Sequence, residues 1–97
     1  MSESISNNTE RKRFEISMDG ATAFVEYMTN VQGSMFLTHT EVPKQLGGRG
    51  LGSQLVEHAL KQIETEGFKL VPLCPFVASY VRKHPDWKRI LADGYNV

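Results

Sequence analysis

The sequence predicts an α+β fold: a mixed, mostly antiparallel sheet with one crossover helix and a second helix near the C-terminus. Three observations carry this expectation. Residues 14–18 alternate apolar and polar side chains and run into Asp19-Gly20, the pairing typical of a type I′ hairpin turn. A glycine-rich loop, Gly47-Gly48-Arg49-Gly50-Leu51-Gly52, opens directly into a segment with an apolar stripe at helical spacing. A short apolar run over residues 68–73 follows that helix, and a strand–helix–strand unit of this length implies a right-handed crossover to a parallel partner.

Residues 1–10 are Ser, Asn, Glu and Thr around one isolated Ile5, too little apolar surface to offset ordering. Residues 1–12 are therefore expected as a flexible tail and 13–97 as a single domain. Arg11-Lys12-Arg13 reads as a solvated strand entry. Phe14, Ile16 and Met18 form the buried face of the first strand. The return strand, residues 21–28, sets Val25 and Tyr27 on one face and Phe24 and Met28 on the other. A third strand over residues 34–42 follows the turn that ends at Gly33, and strict alternation places Met35, Leu37, His39 and Glu41 on one face. Phe36, Thr38, Thr40 and Val42 take the other, and Pro43 ends the strand. About four strands are expected in all.

In the helix over residues 50–66, Leu51, Leu55, Val56, Ala59, Leu60 and Ile63 form the apolar stripe, and Gln54, Glu57, His58, Lys61, Gln62 and Glu64 face water. Gly67 suits the position just past its end. Pro75 cannot follow a helical residue comfortably but fits a first helical position, so Cys74 is the expected cap and Pro75 the start of the second helix. Phe76, Val77, Tyr80 and Val81 share its inner face. His84-Pro85 breaks it, and one short turn over residues 86–91 is expected to pack Trp87 and Leu91 inward before a loose end.

The 97 residues suffice for a core without metal or disulfide support. Lys plus Arg and Asp plus Glu number 11 each, so no global field draws the chain to nucleic acid or an anionic membrane. One cysteine excludes an internal disulfide, and no apolar run reaches the length of a membrane span. The expected compartment is a reducing cytosol, with the chain a monomer or weak homodimer.

The glycine loop has the chemistry of a phosphate cradle. Glycines let backbone approach a ligand closely, and the first N–H groups of a helix point at whatever precedes it. Its details exclude two common ligands. Ser53-Gln54 stand where a Walker loop requires Lys and then Ser or Thr, and the third glycine of a dinucleotide fingerprint would fall on Ser53. What remains is a pyrophosphate held by backbone N–H groups without magnesium.

With His39-Thr40-Glu41-Val42 before it, and Leu73-Cys74-Pro75-Phe76-Val77-Ala78-Ser79-Tyr80 through His84-Pro85 after it, this loop makes the chain resemble the small, truncated GNAT-like N-acetyltransferases of the NATD1-like type. The resemblance runs from Phe14 to Trp87. It implies a minimal acyl-CoA N-acyltransferase fold in which two parallel strands splay apart and admit the pantetheine arm of acetyl-CoA beside Glu41 and Val42. The pyrophosphate would then meet the backbones of Gly47, Gly48, Arg49, Gly50, Leu51 and Gly52, with Ser53 next in the helix. One departure stands out: Gly47 occupies the place where the family pattern has Arg or Gln, and Gln45 fits only in a register shifted toward the N-terminus.

The implied activity is acetyl transfer from acetyl-CoA to a small amine or peptide amine, with no metal required. Cys74, at a helix start whose free N–H groups assist an anionic sulfur, is the nucleophile candidate, or else it assists the departing CoA thiol. His39 and Glu41 are the candidate bases, His39 competing with a hydrogen-bonded core role. The alternative is a module that binds CoA or acyl-CoA without catalysis.

Overall fold

The structure, a computed structural model, describes residues 5–97. Five strands form one sheet in chain order: β1 (Ser6–Asn8), β2 (Arg13–Met18), β3 (Ala21–Thr29), β4 (Ser34–Glu41) and β5 (Lys69–Pro72). Pairing is antiparallel from β1 to β4 and parallel between β4 and β5. The crossover between β4 and β5 is helix α1 (Leu51–Glu66), and α2 (Pro75–Lys83) follows β5. This is the α+β architecture expected from the sequence, with one strand more.

Local chemistry accounts for the turns. Asp19 and Gly20 take φ of +51° and +76°, the two left-handed positions of a type I′ turn, whose twist matches that of the flanking strands. Gly67 ends α1 at φ +79°, and its N–H and that of Phe68 return to the carbonyls of Glu64 and Ile63. Cys74 caps α2 with Pro75 at the first helical position.

One face of the sheet is covered. Phe14, Ile16, Val25, Met35 and Leu37 pack beneath the α1 stripe of Leu55, Val56, Ala59, Leu60 and Ile63, and Val77 and Val81 of α2 join the same core. Truncating a fully buried residue such as Leu55 to Ala is expected to cost about 2–5 kcal/mol. Among the described residues no helix is long and apolar enough to cross a membrane.

Four features depart from the sequence reading. Within the expected tail, Ser6–Asn8 pair with β2, and Tyr27 Oη donates to Asn7 Oδ1 at 2.7 Å; backbone ladder bonds and a partner 20 residues away order a segment with no apolar face of its own. Met1 to Ser4, which share that expectation, lie outside the described residues. In the turn after α2, Pro85–Ile90, the unforeseen Ile90 is the buried residue, while Trp87 and Leu91 pack half-buried against the core as expected. In the loose end expected over residues 93–97, Tyr95 N–H bonds to Ala92 O at 3.1 Å and Val97 packs half-buried against the core.

The fourth departure repositions the site. Glu26 pairs with His39, but Tyr27 pairs with Leu37, which leaves Thr38 as an extra residue in β4. Because side chains alternate with a period of two, this bulge reverses the faces beyond it. Met35 and Leu37 point into the core as expected; His39 and Glu41 do not share that face. Thr40, opposite Val25, takes the inward place.

Candidate functional site

Pro43 ends β4, and a single 3₁₀ turn, Lys44–Leu46, is anchored by the fully buried Leu46. The chain then crosses to α1 through Gly48 and Gly50 at φ +81° and +70°, a region that disfavours side chains, and a Cβ at either would meet open space. From Gly48 to Ser53, six successive backbone N–H groups find no hydrogen-bond acceptor among the described residues. No side chain caps α1, and its first turn carries no acidic residue, so the positive end of the helix is uncompensated.

Side chains around the loop are committed elsewhere. Arg49 reaches back to the β2–β3 turn, with Nη2 at 2.9 Å from Asp19 Oδ2 and Nη1 at 2.9 Å from Met18 Sδ. Gln45 Nε2 donates to Asp19 O at 3.2 Å. Gly52 lies against the ring of Phe76: a Cβ there would come within 2.9 Å of Cζ. Beside it, a groove of about 70 Å³ runs between α1 and α2, lined by Ser53, Phe76, Ser79, Tyr80, Lys83 and His84. Burial, then the negative Glu57, push the Tyr80 hydroxyl above its ordinary value, so it remains a proton donor in neutral solution.

The parallel strands separate where the loop's residues would need them to. Pairing of β4 with β5 ends at Leu37 and Pro72, and Cys74 N–H closes the ladder on Leu37 O at 2.9 Å. Beyond it, Thr38 to Glu41 have no β5 partner. The Cys74 thiol is 5% exposed and donates to Thr40 Oγ1 at 3.4 Å. His39 Nε2 and Glu41 Oε1 lie 2.9 Å apart on the opposite side of β4, each about half exposed, with the Phe24 ring beside His39. Val42 is half-buried against the core.

Two pairs therefore form, Cys74 with Thr40 and His39 with Glu41, and the bulge separates them. Thr40 is the site residue the sequence reading missed; strict alternation turned it outward, and nothing in its composition signals the extra residue. His58, expected in water, is half-buried and meets Phe14 edge-on with ring centroids 5.6 Å apart, and His84 stacks on Tyr80 with centroids 4.1 Å apart.

A glycine-rich helix start beside the splayed end of a parallel strand pair is the arrangement that comparison with known proteins then places. Residues 13–90 match the family model for the GCN5-related N-acetyl-transferase. The chain belongs to this family. Its NATD1 relatives include Protein NATD1 of Mus musculus, 28% identical over 85 residues that cover 84% of this chain and 76% of that protein. Protein NATD1 of Xenopus tropicalis is 27% identical with the same coverage. In structure, a GCN5-like protein of Staphylococcus aureus solved in solution by NMR superposes with a TM-score of 0.73 at 23% identity, covering 95% of this chain and 91% of that one. The chain's architecture is spare: among the described residues both α-helices join the core on one side of the sheet, and the face bearing Phe24, Glu26, His39 and Glu41 carries none.

Proposed function

We propose that this family member transfers the acetyl group of acetyl-CoA to an amine, on a small molecule or a peptide. The observation that carries the proposal is the row of six unpaired N–H groups from Gly48 to Ser53 at an uncompensated helix start, a donor array suited to a pyrophosphate. The cradle is backbone-built. Gly47 contributes only its turn, and the Arg49 side chain is drawn to Asp19, which leaves the contact to the backbones of Gly48, Arg49, Gly50, Leu51, Gly52 and Ser53. Lys83, in the adjoining groove, supplies the nearby positive charge.

The pantetheine arm would lie along Val42 and Glu41 and deliver the thioester to the opening beyond Leu37. His39, with Nε2 bonded to Glu41, would present Nδ1 to the attacking amine and take its proton as the C–N bond forms. Unpaired β4 backbone N–H groups near Val42 would face the developing oxyanion. As the C–S bond breaks, the departing thiol would draw on the Cys74 S–H. The placement of Cys74 and His39 on opposite sides of β4 favours this direct attack over an acetyl-cysteine intermediate, because the thiol has no base beside it.

The same separation supports a second reading, a module that binds CoA without turnover. Calorimetric titration with acetyl-CoA, CoA and ATP tests the cradle: saturable binding of both CoA forms but not ATP is expected, and no binding of either would end both readings. A thiol-release assay with an amine panel then separates them, since the binding module releases no CoA above background. Cys74→Ala should slow turnover without abolishing it if attack is direct, since the departing thiol loses its proton donor; complete loss with CoA binding intact would restore the covalent step.

A further inference from the structure

The cluster Arg11-Lys12-Arg13 has no role in the acetyl transfer proposed above, yet Lys12 lines a second cavity of about 260 Å³. The cavity lies by Glu66, the last residue of α1, whereas the glycine loop lies at the first. Sixteen helical residues separate the two, about 24 Å at 1.5 Å per residue.

Its floor is apolar and fixed. Tyr27 and Met35 are 9% and 4% exposed, and the half-buried Phe68 stands beside them. Its walls carry opposite charges. Lys12 and Glu66 form no salt bridge with each other or with any other described residue, although they border one small space. The Lys12 backbone and the Glu66 carboxylate are held in place. Lys12 adopts φ +54°, and its carbonyl accepts the Tyr27 N–H at 2.9 Å; Glu66 Oε2 accepts from Gln62 Nε2 at 2.7 Å.

We propose that this cavity binds a small zwitterion, an α-amino acid with an aliphatic side chain. Its ammonium group meets Glu66 at the negative end of α1, a last turn that carries no basic residue of its own. Its carboxylate meets Lys12, with the Asn7 and Thr9 side chains at the same wall. The aliphatic group covers Met35 and Phe68. A simple anion or a simple cation satisfies one wall and leaves the other charge unpaired, so the two walls together select the zwitterion. The volume, just below the roughly 300–1,000 Å³ of ordinary ligand cavities, suits a molecule of this size. This site stands whether or not the glycine loop binds CoA.

Amide NMR of the isotope-labelled full chain tests it, with leucine as probe and isocaproate and isopentylamine as its analogues lacking one charge. Leucine is expected to give saturable shifts at Tyr27, Met35 and Phe68, and each analogue to bind about tenfold more weakly or less. Lys12→Gln and Glu66→Gln, surface changes whose spectra report the fold directly, should each weaken leucine by about tenfold. No saturable shift with leucine, equal binding of either analogue, shifts confined to residues 47–53, or unchanged affinity in both variants would overturn the proposal.

Discussion

Gly52→Ala isolates the proposed cradle from the stability of the fold. Gly52 is the second residue of α1, and a Cβ there would stand 2.9 Å from Phe76 Cζ and 3.1 Å from Cε2. Alanine in place of glycine favours the helix by up to about 1 kcal/mol. Against this, the ring must move; Phe76 is 42% exposed, so it can swing toward solvent and forfeit part of its packing, also about 1 kcal/mol of the roughly 1.5–3 kcal/mol that full burial brings. The two nearly cancel. Net stability should shift by less than about 1 kcal/mol, under about 8 °C in Tm for a chain of this length. CoA affinity should fall by about tenfold or more, because the methyl group enters the row of donors and the displaced ring enters the groove beside Ser53. Phe76→Ala removes the obstruction, so on that background Gly52→Ala should stabilise by up to about 1 kcal/mol. Urea unfolding of the four proteins, with calorimetric titration of each against CoA, reads both quantities. Destabilisation beyond about 3 kcal/mol in both backgrounds would show that something other than Phe76 confines Gly52. Undiminished affinity would remove Gly52 from the cradle.

Three further outcomes are expected. His39→Ala and Glu41→Ala, at a half-exposed pair, should change stability by no more than about 0.5 kcal/mol yet lower acetyl transfer by about a hundredfold or more; a turnover assay that finds wild-type rates would dismiss them as bases. Thr40→Val should cost up to about 1 kcal/mol in urea unfolding and add nothing once Cys74 is Ala, whereas additive costs would show that the thiol contact has no energetic weight. The Arg13 hydrogen bond, opposed by burial, holds the Glu15 carboxyl below its ordinary 4.5. The folded state therefore keeps this charge while the unfolded chain takes up a proton, and stability present above pH 4.5 is lost as pH falls through the lower folded value. Arg13→Gln should flatten that acid slope, and an unchanged slope would assign it to other carboxylates.

The elements governed by local rules were legible in the residues themselves. Asp19-Gly20 fixes its turn by the dihedrals it tolerates, the α1 stripe and Gly67 fix a helix and its end, and Cys74-Pro75 fixes a helix start. The glycine loop was legible for the same reason: its glycines answer to backbone geometry at their own positions. What escaped was set at a distance. The order of Ser6–Asn8 comes from the exposed edge of β2 and the hydroxyl of Tyr27, neither visible in a run of Ser and Asn. The commitment of Arg49 comes from a turn 30 residues earlier, and the alliance of Cys74 with Thr40 spans 34. Ile90 joins Trp87 and Leu91 on the inward side because the closing turn is 3₁₀, with three residues per turn rather than 3.6.

Thr38 makes β4 two strands in one. Up to Leu37 the chain obeys the parity of a packing element, and after Thr38 it obeys the opposite parity, so the same eight residues serve the core at one end and solvent at the other. What such a strand depends on is the bulge, which absorbs the extra residue and keeps Thr40 opposite Val25. Flattening the bulge with Thr38 retained would turn His39 and Glu41 beneath α1 and expel Thr40 from the thiol, whereas deleting Thr38 would leave Leu37 opposite Tyr27 and His39 opposite Glu26, with both faces kept. The orientation of this segment therefore rests on its pairing rather than on its count: with or without a residue at position 38, His39 and Glu41 hold the outer face as long as they stay opposite Glu26 and Phe24.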